Sequence, residues 1–220
     1  MAITYISIEP FVRRKWPQTI ISWSRVLTCG FRDPLVGKDI LAGVFVGVFL
    51  GVIQQFGSLL YLMAGIPAVR ISLRETSLLG GRYLAGQCLF LVDDALYKSL
   101  GILFLIFLAR MLLKKQWLAA GVITLALAPM NAANALNPLI GWPVNLVFFG
   151  VMVFALMRFG LVTLTVSLVS IALVFSFPLT TDVSVWYAGN MLLTVAAVLA
   201  LALFGFRTAV AGQPLFKEGS

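Results

Sequence analysis

Residues 40–64 read ILAGVFVGVFLGVIQQFGSLLYLMA, and no charged side chain interrupts them. At 1.5 Å per residue a helix over this stretch is about 37 Å long, enough to cross a hydrocarbon core of about 30 Å. It is also apolar around most of its circumference, which a helix with one wet face cannot be. Working outward, five more such stretches follow: Asp94 to Leu113, ending at Lys114-Lys115; Trp117 to Leu136, ending at Asn137-Pro138; Pro143 to Met157; Leu161 to Pro178; and Ser184 to Phe206. Composition agrees, since 61% of the 220 residues are apolar and 11% charged, with a mean hydropathy of +1.03, against roughly 45–50% and about 25% in a soluble domain. The expected fold is an all-α polytopic transmembrane bundle of about six spans. A basic interfacial segment occupies 1–38, the membrane domain 39–207 and a short tail 208–220.

Charge sets the expected orientation. With the N-terminus cytoplasmic, the inner segments hold Arg13, Arg14, Lys15, Arg25, Arg32, Lys38, Arg110, Lys114, Lys115, Arg158, Arg207 and Lys217, which is twelve of the sixteen basic residues; Arg70, Arg74, Arg82 and Lys98 fall outside. Both termini are then cytoplasmic, and the net charge of +8 reads as a topology signal and an attraction to anionic lipid heads. It does not point to nucleic acid, because no folded soluble domain carries the basic residues as a patch. Cys29 and Cys88 fall on opposite sides of the bilayer, too far apart for a disulfide. Asp33-Pro34, Asn137-Pro138 and Thr180-Thr181-Asp182 supply helix-start signals. All five tryptophans lie outside or at the ends of the spans, where amphipathic rings favour the headgroups. Residues 1–8 are too short for the apolar core of a signal peptide.

Candidate chemistry is sparse. Asp93, Asp94 and Lys98 form the one mixed-charge cluster near a span, with Asp94 and Lys98 at the i,i+4 spacing that lets an acid and a base meet. If the helix starts at Asp94, twenty residues reach Leu113 and about 30 Å is already covered, so the aspartates sit at the outer surface and Lys98 snorkels outward. If a single tilted helix runs from about Tyr83 to Leu113, all three charges enter the membrane as a candidate ion or proton site. Gln54 and Gln55 lie mid-span amid Gly47, Gly51 and Gly57, small residues that favour close helix approach. Asn131, Asn134 and Asn137 repeat every third residue at one end of the third span, as a polar vestibule or as packing and capping groups. Pro129 and Pro178 mark kinks or ends.

The chain has no histidine, so it lacks the usual base, acid or ligand of membrane proteases, phosphatases and acyltransferases. Asp93 and Asp94 are adjacent and point about 100° apart, which does not make an aspartyl pair. The expectation is no catalytic residue, no metal and no cofactor.

Four stretches carry a resemblance: Glu9 to Pro17 (EPFVRRKWP), Phe31 to Asp39 (FRDPLVGKD), Pro178 to Gly189 (PLTTDVSVWYAG) and Gly205 to Phe216 (GFRTAVAGQPLF), joined by Arg158-Phe159-Gly160. Together they resemble the membrane-embedded C-terminal region of a group of bacterial serine/threonine protein kinases, over about residues 2 to 216. Gln213 stands where that group carries a basic residue. The glycine-rich loop, strand lysine, His-Arg-Asp loop and Asp-Phe-Gly motif of a kinase are all missing, so any kinase activity needs an upstream domain. What the resemblance implies is a non-catalytic anchor or sensor module in the bacterial inner membrane, with a protein partner or fused cytoplasmic kinase on its N-terminal side. Residues 9 to 38, with basic groups, Trp16 and Trp23, then form a segment lying on the inner leaflet. The rival readings are a stand-alone structural subunit of a larger inner-membrane complex and a small transporter or channel.

Overall fold

A computed structural model describes residues 17–28, 30–66, 81–132, 137–176 and 188–210. Seven helices account for nearly all of them: α1 Pro17–Leu27, α2 Pro34–Met63, α3 Gly81–Leu113, α4 Gln116–Ala132, α5 Pro138–Phe159, α6 Leu161–Ser176 and α7 Ala188–Val210. No strand occurs among the described residues. Four stretches are long and apolar enough to cross a membrane, Pro34–Met63, Gly86–Leu113, Pro138–Phe159 and Leu192–Val210, while Gln116–Pro129 and Leu161–Phe175 are shorter apolar helices.

Two helices begin where the cap signals place them. The Asp33 carboxylate accepts the Leu35 N–H at 2.9 Å and the Asn137 side chain accepts the Leu139 N–H at 3.0 Å, each ahead of a proline in the first turn. The second case corrects the expected start at Pro143. The helix runs from Pro138 and carries Pro143 inside it, giving up only the bond that a residue-143 N–H would make to the Leu139 carbonyl. The last span is likewise displaced, to Ala188–Val210. The caps expected at Thr180 to Asp182, and Pro178, lie outside the described residues.

In a bilayer, lipid is as apolar as leucine, so close backbone approach and interhelical hydrogen bonds hold helices together. The glycines of α2 provide the approach. A Cβ on Gly37 would stand 2.4 Å from the Ala209 nitrogen in α7; on Gly43, 2.7 Å from Val166 Cβ; on Gly47, 2.7 Å from the Ser167 carbonyl oxygen; and on Gly57, 2.8 Å from Val144 in α5. One helix thus contacts α7, α6 and α5 through successive small residues. These pairings make α2 parallel to α6 and antiparallel to α5 and α7.

The α6 helix is the most enclosed element, with Leu161, Thr163, Leu164, Ser167 and Ser170 all fully buried. Its small hydroxyl residues are shaped to the α2 glycines, and the hydroxyls bond locally or across: Ser167 to the Leu164 carbonyl at 2.8 Å, and Thr163 to the Asp39 carbonyl at 3.0 Å. On the opposite side α6 meets α3, where buried Thr165 donates to Ser99 Oγ at 2.9 Å and Ser99 donates to the Leu96 carbonyl at 3.0 Å. Between α5 and α6 the chain reverses at one residue, Gly160, whose φ of 105° and ψ of −171° lie in a region essentially reserved for glycine. The core joins α2 to α6, with Leu50, Leu103, Ile106, Ala119, Met152, Leu156 and Leu164 among its members.

Candidate functional site

The two ends of the bundle differ in charge. Thr163 bonds Asp39, and Gly37 meets Thr208 and Ala209, so α2 and α6 begin where α7 ends. The Gly160 reversal brings the end of α5 to the same place. The antiparallel α4–α5 pair, in contact at Thr124 and Gly150, adds the start of α4 and the end of α3. Arg25, Arg32, Lys38, Arg110, Lys114, Lys115, Arg158 and Arg207 all belong to this end. Its described acids are Asp33 and Asp39.

Both acids fasten α1. This helix lays Trp23 and Val26 against Val36, Ile40 and Val162, at the starts of α2 and α6. Arg25 forms a charge-assisted hydrogen bond with Asp33 across the connecting turn, and the buried Ser22 hydroxyl donates to the Asp39 carboxylate. The Leu35 N–H, aided by the Arg25 guanidinium, holds the Asp33 carboxyl below its ordinary range. The sequence showed Asp33 as a cap and residues 9 to 38 as interfacial; it did not reveal that Arg25 and Ser22 clamp this segment to the bundle. Such contacts join residues whose relative position only the packing of α1 on the starts of α2 and α6 decides.

At the opposite side, α3 is one continuous helix through Asp93, Asp94 and Lys98, so the reading in which the helix starts at Asp94 does not hold. Apolar Leu89 to Val92 simply continue the helical stripe, and two aspartates cost a long apolar helix too little to break it. The tilted-helix reading has the helix right, yet the charges do not enter the bundle. Lys98 Nζ lies 2.6 Å from Asp94 Oδ2 with the lysine side chain 57% exposed, and Asp93 is exposed as well. The neighbouring Ala95 and Ser99 take the buried face toward α6. Lys98 stands about 23 Å along α3 from Leu113.

Gln54 is half-buried and Gln55 exposed on α2. The Gln54 backbone carbonyl accepts the Ser58 hydroxyl at 3.2 Å. Because α6 packs between α2 and α3, the glutamines and the Asp94–Lys98 pair stand on separate walls. The Asn131 side chain and all of Asn134 lie outside the described residues; Asn137 caps α5 and its carbonyl accepts the Tyr61 hydroxyl at 3.2 Å. Among the described residues no three Cys, Asp or Glu side chains gather as metal ligands would. The hydroxyls of α6 were the missed signal: Thr163, Ser167 and Ser170 fall at i, i+4 and i+7, one helical face, and it is the face that meets the glycines. No family model, curated protein or solved structure matches the chain.

Proposed function

We propose that this chain is a non-catalytic, six-span domain of the bacterial inner membrane, with both termini cytoplasmic, that serves as the anchor or sensor module of a signalling protein whose kinase lies on its N-terminal side. The observation that carries the reading is the collection of eight basic residues at one end of the bundle, the asymmetry expected of a cytoplasmic face. The two short helices, α4 and α6, complete the six crossings as members of the packed bundle. The clamp on α1 favours signalling over anchoring alone: a helix fixed to the starts of α2 and α6 moves when they move, and the chain preceding it moves too.

The stand-alone subunit reading draws less support from α2, whose Gly37, Gly43, Gly47 and Gly57 are occupied by the chain's own helices, while Gly86, Gly101 and Gly121 on α3 and α4 stay open. The transporter reading would use Asp94 and Lys98, which face outward. Topology reporters fused after Ser220 and within 67–80 are expected to read cytoplasmic and external, respectively. Deleting residues 9–32 from a kinase fusion is expected to change kinase activity with insertion intact. Unchanged activity would sink the signalling role.

A further inference from the structure

We propose that the α3–α4 turn and the end of α5 form a docking site for the headgroup of an anionic phospholipid, with Lys114, Lys115 and Arg158 as the phosphate-binding side chains and Trp117 as the ring beside them. The proposal rests on the membrane reading above and adds a defined site to it.

The turn is two residues long. Lys114 adopts a φ of 56°, ending α3, and the Lys115 N–H bonds the Leu113 carbonyl at 2.7 Å before α4 starts at Gln116. Both lysines are therefore held at the tip, and both are exposed. Arg158 joins them by helix register. With Thr124 opposite Gly150, roughly two turns further along the antiparallel pair bring Gln116 level with Arg158, which is exposed in the last turn of α5. Trp117 is 73% exposed beside them, in the position an indole takes among headgroups.

Charge balance separates this rim from the rest of the basic end. On the α1–α2 side Arg25 is paired with Asp33, and Asp39 lies next to Lys38. On the other side α4 and α5 contain no acid, and those of α3 lie about 30 Å along the helix from Lys114. Among the described residues none of Lys114, Lys115 and Arg158 has an ion-pair partner. Helix dipoles favour cations at the ends of α3 and α5, but they disfavour Lys115 at the start of α4. Three cations at one level of the bundle without a counter-charge, bordered by an exposed ring, match an anionic headgroup in chemistry and in depth.

The test is lipid retention. The full chain is reconstituted in phosphatidylcholine nanodiscs containing a minority of phosphatidylglycerol, extracted in mild detergent, and the lipid that stays bound is quantified by mass spectrometry. Wild type is expected to retain phosphatidylglycerol selectively. At about five-fold per basic residue, K114Q/K115Q/R158Q is expected to lose on the order of a hundred-fold in affinity. The charge-preserving K114R/K115R/R158K should retain the lipid, and R32Q/K38Q/R207Q, on the other side of the same basic end, is the control and is expected to lose less than five-fold. Equal loss in both neutralised triples, or no preference for phosphatidylglycerol in wild type, overturns the site. Failure of the membrane reading is seen separately, as release of the chain from vesicles by alkaline carbonate.

Discussion

Gly47 and Gly51 lie one helical turn apart on α2, and the same substitution at the two positions is expected to act with opposite sign. A Cβ at 47 would stand 2.7 Å from the Ser167 carbonyl oxygen and from Ser170 Cβ, and 3.1 Å from Ser167 Cα, whereas at 51 its nearest neighbour is Phe175 Cε2 at 3.9 Å. Ordinary contact begins near 3.4 Å, so Gly47→Ala needs α2 and α6 to part by about 0.7 Å. The obstruction includes the backbone of a fully buried helix, which no rotamer change relieves. Overpacking of this kind costs about 1–3 kcal/mol, offset by up to about 1 kcal/mol from the better helix propensity of alanine. The net expectation is about 1–2 kcal/mol of destabilisation for Gly47→Ala and a gain of a few tenths to about 1 kcal/mol for Gly51→Ala. Unfolding in mixed detergent micelles, followed by circular dichroism, measures both on one scale. Equal effects, or a destabilising Gly51→Ala beside a neutral Gly47→Ala, would show that α2 and α6 do not meet in this register.

Gly160→Ala forces a side chain into a glycine-only conformation and is expected to cost about 1–3 kcal/mol, with Gly150→Ala, whose Cβ would meet only Thr124 Cγ2 at 3.9 Å, as the mild comparison in the same assay. Asp33 is held below its ordinary value of 3.8 in the folded chain. Its contribution is therefore complete above that value and is lost as pH falls through the lowered one, so in a variant that keeps Trp23 as its single tryptophan, emission should report loosening of α1 below about pH 4. The variant D33N, which keeps a capping side chain without the charge, should flatten that transition. Replacing Asp94 and Lys98 together by alanine removes a pair that lies outside the helix packing and is expected to change stability by less than about 0.5 kcal/mol; a large loss by the same micelle titration would mean that the pair is engaged in the packing.

The pattern of long apolar stretches was legible because a bilayer demands it: every crossing element needs its own run of apolar residues, and such a run survives any arrangement of neighbours. The caps at Asp33 and Asn137 were legible for a related reason, since a capping side chain bonds a backbone N–H two residues on. The Asn137 cap was also a better guide to the start of α5 than the break suggested by Pro143. The candidate charges were visible as residues, and the spacing of Asp94 and Lys98 gave their pairing. Their direction was not visible, because α3 is apolar on all sides and its sequence does not mark which face meets α6.

By itself, then, the sequence determined that the chain is helical, apolar enough for a membrane, and basic in the segments that meet at one end. Tertiary structure decided that α2 is the helix on which α5, α6 and α7 assemble, that α6 is enclosed, and that α1 is clamped by Arg25–Asp33 and Ser22–Asp39. The physical reason is that helix formation and membrane partition depend on composition along the chain. Choosing a partner helix depends on which small residues face one another at a few tenths of an ångström, and that information is shared between segments more than a hundred residues apart.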